Sequence, residues 1–168
     1  LYHVHATPGE EGRVWARSIE LQIQERDVGD LYAIGASIHV RARLREGTGT
    51  REKPPVFDYD PTGLWYPFAQ LPGMEGRCVK QPDRENPTGQ WNTVELVCLG
   101  DEALHIVNGT VVMHLRGPLR LNADALLPVT AGPVILQSEG AEIFFRGIVF
   151  RPITEIPVEF ARQRPARW

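Results

Sequence analysis

Glu20 and Gln22 stand two positions apart in a stretch that alternates apolar and polar residues, Ser18-Ile19-Glu20-Leu21-Gln22-Ile23-Gln24-Glu25. Side chains at i and i+2 of a strand share a face about 7 Å apart, so a carboxylate and an amide would point together. Such a pair can remove a proton and hold a hydroxyl; the same pattern also describes the solvated face of an antiparallel sheet. Gln137 and Glu139 form a second pair with the same spacing, at the end of an apolar run. There Glu139 could serve as acid, base or metal ligand, or simply occupy the turn Ser138-Glu139-Gly140. Arg146 sits between apolar residues, Phe144-Phe145 before it and Ile148-Val149 after it. A guanidinium in that setting should meet a carboxylate or a ligand. Trp15, Trp65 and Tyr66 could stack on a ligand ring, whereas Trp91 opens an apolar strand and is expected in the core. His3 and His5 could chelate a divalent metal, although no third ligand is evident and the metal site is left unassigned. His39, His105 and His114 are scattered over expected strands, and each alone reads as structural.

These side chains need strands to hold them. Ile19, Leu21 and Ile23 point one way while Glu20, Gln22 and Gln24 point the other. Residues 31–43 continue as strand after a turn at Gly29-Asp30, with Gly35 as a bulge or bend. Residues 45–63, rich in Gly, Pro, Thr and charge, read as a long surface loop. Further strands are expected at 64–71, 76–81, 91–99, 103–108, 110–115, 133–138 and 141–151. Gly100-Asp101 and Asn108-Gly109 supply hairpin turns, the second a type I′ signal between apolar runs. Residues 117–132 read as a connection in which Leu126 and Leu127 cover a sheet edge or one end of the core. Residues 157–168 read as a frayed tail. No helix longer than a turn or two is expected, and strands about ten residues apart argue for an all-β sandwich.

Composition agrees. The 168 residues suit one domain, and 16 glycines with 14 prolines favour many short strands. A net charge of -3 provides no footprint for nucleic acid. No run approaches the ~20 apolar residues of a membrane-spanning helix. Cys78 and Cys98 are too few for a disulfide scaffold; Cys98 is expected to face apolar surroundings, and a bridge between the two would require an oxidising compartment. The chain opens with Leu1 and runs straight into strand-like sequence, so it reads as a piece of a longer protein.

Three segments in order resemble the 3-keto-disaccharide hydrolase domain family. Ile19-Glu20-Leu21-Gln22-Ile23 is similar to its Glu-x-Gln strand. Trp91-Asn92-Thr93-Val94-Glu95, followed by Val107-Asn108-Gly109, is similar to its central hairpin. Gly132-Pro133-Val134-Ile135-Leu136-Gln137-Ser138-Glu139-Gly140, continuing to Phe145-Arg146-Gly147-Ile148, is similar to its closing Leu-Gln turn and Phe-Arg strand. The resemblance covers residues 1–153, leaves 154–168 as a C-terminal tail, and implies that the family's opening strands are missing from this chain. Gly147 stands where the family often has Asn, and Glu139 where some members carry His.

The resemblance implies a two-sheet antiparallel jelly-roll sandwich of the concanavalin or lectin-like kind, with a saccharide on its concave face. It implies cleavage of a glycoside already oxidised at C3, in the periplasm or outside the cell. Glu20 and Glu139 are then the candidate catalytic residues, with Gln22, Gln137, Arg146 and Trp65 as candidates for binding substrate. A non-catalytic saccharide-binding module and a purely structural sandwich are the competing expectations, because sandwiches host all three roles.

Overall fold

The computed structural model describes residues 1–6, 15–45, 55–69, 75–122 and 125–165. Among the described residues ten strands follow one another: β1 (Ser18–Leu21), β2 (Leu31–Ile34), β3 (Ala36–Leu44), β4 (Phe57–Tyr59), β5 (Leu64–Ala69), β6 (Arg77–Val79), β7 (Val94–Leu99), β8 (Glu102–Val107), β9 (Thr110–Asn122) and β10 (Ala125–Pro128). A single helical turn, α1 (Val158–Ala161), comes last. The domain is all-β in character, as expected.

The strands belong to one mixed sheet in the order β1-β2-β6-β4-β3-β9-β8-β7, with β5 also on β3 and β10 on β9. The pairing is antiparallel except between β4 and β6, which run parallel with Phe57 opposite Cys78. This corrects the expectation of purely antiparallel pairing. Phe57 and Cys78 both turn toward the same apolar core, so burying that face fixes their register whichever way the strands run. The sheet nearly closes on itself around that core. Ile19, Leu31, Ile38, Val40, Phe68, Met113 and Leu115 are buried in it. Tyr2, bridged to β1 through Ile19, reaches across to β8, where its hydroxyl lies 3.0 Å from His105 Nε2.

Asn108 and Gly109 both adopt positive φ, 49° and 76°, as the type I′ hairpin between β8 and β9 requires. Other expectations need correcting. The stretch 117–132 is not mere connection, because β9 runs to Asn122 and β10 pairs back on it. The stretch 157–165 is not simply frayed, while 166–168 lie outside the described residues. Phe160 of α1 and the preceding Ile156 pack with Leu104, Ile106 and Val111 on the sheet's outer face.

Residues 133–138 and 141–151 form no strands. Only the start of that region pairs: the Leu1 ammonium donates to Ile135 O at 2.8 Å, and Ile135 N donates to Leu1 O at 2.9 Å. Beyond it Phe144, Ile148, Val149 and Phe150 are exposed. Apolar residues on both faces suit a strand covered on both sides, and among the described residues no strand lies alongside to cover this one. Trp91 is likewise exposed, not core.

Candidate active site

Glu20 lies in the middle of β1, on the face opposite the core residues Ile19 and Leu21. Its partner across the hairpin is Tyr32 on β2, and the partner of Tyr32 on the next strand is Arg77 of β6. A carboxyl, a phenol and a guanidinium therefore stand in one row across three neighbouring strands.

The row is held from beneath. Asp30, wholly buried, accepts from Arg77 Nε at 3.0 Å and Nη2 at 2.6 Å, and from the Lys80 backbone N–H at 3.0 Å. Asp27 lies 3.0 Å from the same guanidinium. Arg77 in turn lies over the Tyr32 ring, 5.3 Å from its centroid. Lys80, also buried, pairs with Glu85 at 2.6 Å, and Glu85 accepts from the Arg26 and Val28 N–H groups. These bonds pin the β1–β2 turn to the stretch after β6, so the row keeps its spacing.

Burial raises the Glu20 carboxyl above its ordinary range; the Leu1 ammonium opposes the shift and the Glu139 charge adds to it. Tyr32 is raised as well, by burial first, with Arg77 pulling the other way. The phenol thus stays protonated at neutral pH. A base whose strength is increased and a hydroxyl donor stand side by side, as proton transfer at carbon requires.

The expected site residues divide. Glu139 is exposed, and its charge acts on Glu20. At Gly132 the chain passes close to residues 3 and 4, where a Cβ would lie 2.7 Å from Val4 O, an approach that only glycine allows. Gln137 is half-buried. Gln22 caps its own turn, its Oε1 accepting from the Ile23 and Gln24 N–H groups. Among the described residues Arg146 meets no carboxylate, and its guanidinium is 4.0 Å above the Trp91 ring. Trp65 is far along the sheet on β5, beneath Arg41 and edge-on to His114.

His3 is buried with positive φ, and His5 Nδ1 lies 2.9 Å from His3 O. Among the described residues no group of three or more His, Cys, Asp or Glu side chains gathers to hold a metal ion. Cys78 and Cys98 are both free thiols, each packed against the core, and burial raises Cys98 to about 12. Two cavities of about 280 and 290 Å³ lie elsewhere; neither is lined by Glu20 or Glu139. Among the described residues no helix is long and apolar enough to cross a membrane.

The model of the 3-keto-alpha-glucoside-1,2-lyase-like domain matches residues 1–151. The chain belongs to that family. No curated protein and no solved structure matches it. In this lyase-like domain the matched region runs from the segment beside β1 through the exposed stretch that carries Gln137, Glu139 and Arg146. Sequence reasoning missed Tyr32 and Arg77, whose place beside Glu20 depends on strand register. It also missed the cluster of Glu102, His114, Arg116 and Arg164 on the far side of the sheet.

Proposed function

We propose that the domain cleaves 3-keto-glycosides by elimination followed by hydration, with Glu20 as the base. The family supplies the reaction class. The observation that carries the residue assignment is the Glu20 carboxyl, raised by burial and by Glu139, directly opposite the protonated Tyr32.

A ketone at C3 acidifies the hydrogen on C2. Glu20 takes that proton, and the electron pair forms an enolate between C2 and C3. The enolate then re-forms the ketone as a double bond develops between C1 and C2 and the C1–O bond breaks. The departing oxygen takes a proton from the Tyr32 hydroxyl or from the newly protonated Glu20. Water adds across the C1–C2 bond, with its proton delivered to C2 and its hydroxyl to C1. Tyr32 also offers the hydrogen bond that a developing oxyanion needs. Glu139 strengthens the base, and Gln137 meets a sugar hydroxyl. The two-sheet jelly roll and the saccharide on its concave face belong to this proposal.

A saccharide-binding module without turnover is the second reading, favoured by Glu20 lying on an open strand face that lines neither cavity. Incubation with a panel of 3-keto-disaccharides, with and without EDTA, separates the two. Cleavage that Glu20→Gln abolishes supports the lyase. Saturable binding with no product supports the module, and cleavage unchanged in the variant removes Glu20 from the mechanism.

A further inference from the structure

β7 ends the sheet. It pairs with β8 along its whole length and, among the described residues, with no other strand. Both of its faces are in use. Leu96 and Cys98 pack against the main core, while Val97 and Leu99 pack with Leu104, Ile106 and Phe160 under the strap of residues 156–165. Gln163 ties that strap to β9, accepting from Val111 N–H at 2.9 Å and donating to Gly109 O at 3.2 Å. All four β7 side chains are nevertheless only half-buried, as they must be when no strand lies beyond them. Natural sheets guard such an edge with lysine, proline or a bulge. β7 has none of these, and Glu95, which is exposed, is its one charge.

The stretch 143–150 is the counterpart, a strand-like sequence without a sheet. Phe144, Phe145, Ile148, Val149 and Phe150 are exposed, Ile148 by 71% and Phe150 by 87%. They occupy odd and even positions alike, so an extended 143–150 is apolar on both faces. β8, buried at all six of its positions, shows where a strand of that character belongs. At about 150–250 Å² for a whole aromatic side chain, the five leave on the order of 600 Å² open to solvent. The largest apolar patch on a typical monomer is about 300–600 Å². A standard interface takes about 800 Å² from each partner, and 143–150 with the edge of β7 supplies an area of that order.

We propose that the chain pairs with a second copy of itself, residues 143–150 of each protomer lying along β7 of the other. A two-fold axis relates the two contacts, so the assembly closes as a dimer and leaves neither edge free. Each added strand covers the half-buried Leu96, Val97, Cys98 and Leu99, and β7 covers the bare phenylalanines. The charges match, because Arg146 and Arg151 are the cations of the segment and Glu95 is the carboxylate of the edge. The segment does not close on its own β7, although Arg146 reaches Trp91 three residues before it. The contact is separate from the Glu20 chemistry.

Sedimentation of the whole chain over a hundredfold range of concentration tests this. A species of twice 18.9 kDa that dissociates on dilution is expected. Phe150→Lys sets a charge in the apolar seam and should weaken dimerisation at least tenfold. Phe150 is exposed in the protomer, so the diluted variant should melt at the parent's temperature. Glu95→Lys, on the other half of the contact, opposes Arg146 and Arg151 with a third cation and should weaken dimerisation about tenfold. Amide hydrogen exchange in 143–150 should slow as the dimer forms. A monomer at every concentration overturns the proposal and leaves the segment to a strand of another protein. Growth past the dimer, or a dimer that either substitution leaves as tight as the parent's, overturns it as well.

Discussion

Glu20 and Tyr32 face each other as cross-strand partners on β1 and β2, and both are shifted toward their protonated forms, chiefly by burial. Their neighbour Arg77 restrains the shift of the phenol and is itself tied to the buried Asp30. Glu20→Gln retains shape and removes the base. Turnover of a 3-keto-disaccharide should fall by about 10²-fold or more, the usual contribution of a positioned general base. Tyr32→Phe should lower kcat less than Glu20→Gln, since Glu20 can return the proton it has taken. Steady-state kinetics of the two variants check both statements; an inverted ranking would exchange the roles.

The pH profile of that turnover should have its acid limb above the ordinary carboxylate range, because burial and Glu139 hold protons on Glu20. Glu139→Gln removes one of those two causes, so the limb should move to lower pH. A limb unmoved by that substitution would mean that another group sets it. The linked effect on folding has the opposite sign to that of a salt-bridged carboxylate. A carboxyl raised in the folded state stabilises at low pH and loses that contribution as pH rises through its folded value. Glu20→Gln should therefore melt at or above the parent's temperature near neutrality, and scanning calorimetry at pH 4 and pH 7 reads the difference.

Asp30 positions the row without touching substrate. It is fully buried and accepts from Arg77 and from the Lys80 backbone. Asp30→Ala leaves the Lys80 N–H unpaired and Arg77 with Asp27 in place of two carboxylates, at a cost of about 1–3 kcal/mol, that of an unsatisfied buried group. Urea unfolding measures it. A loss under 1 kcal/mol would show that Asp27 and water replace the carboxylate.

Much of this arrangement was legible from local pattern. The alternation around Ile19, Glu20 and Leu21 placed Glu20 on the polar face, and Asn108-Gly109 announced its hairpin. Tyr32 was not legible as its partner. The loop between β1 and β2 is too long to set the register, and the Asp30–Arg77 and Lys80–Glu85 pairs that help fix it join residues apart in sequence. The β4–β6 parallel pair was hidden for the same reason. The opposite failure occurred at 141–151, where a strong strand pattern found no partner strand among the described residues. Arg146, expected to meet a carboxylate or a ligand, lies over the Trp91 ring.

The strap after β10 makes a separate prediction. Phe160 is the main apolar anchor of α1, and it packs with Leu104, Ile106 and Val111. Phe160→Ala should cost about 3 kcal/mol, the low end for removing a buried phenylalanine. Limited proteolysis should then cut near residue 162 at a protease ratio that leaves the parent intact. Equal resistance would show that the Gln163 and Arg164 bonds alone hold the strap.

Acid should unfold the domain earlier than its carboxylates alone would suggest. His105 is completely buried between the Tyr2 hydroxyl, 3.0 Å from Nε2, and Gly29 O, 2.9 Å from Nδ1. Burial lowers it to about 4, with the Gly29 bond opposing, and burial lowers His114 to about 4 as well. Unfolded, each ring titrates near 6.5. Between about pH 6.5 and 4 the unfolded chain binds more protons than the folded one, so stability is complete above that window and falls as pH drops through it. Each ring contributes a slope of at most about 1.4 kcal/mol per pH unit. Glu20 acts in the opposite direction over part of the window, and Glu20→Gln should steepen the loss. His105→Phe should be less stable than the parent at pH 7, because the Tyr2 hydroxyl and Gly29 carbonyl lose their partner. Its stability should nevertheless fall less steeply with acid, His114 retaining its own share. Denaturant unfolding at half-unit steps from pH 7 to pH 4 measures both slopes. Parallel lines for parent and variant would mean that His105 takes up its proton without unfolding the domain.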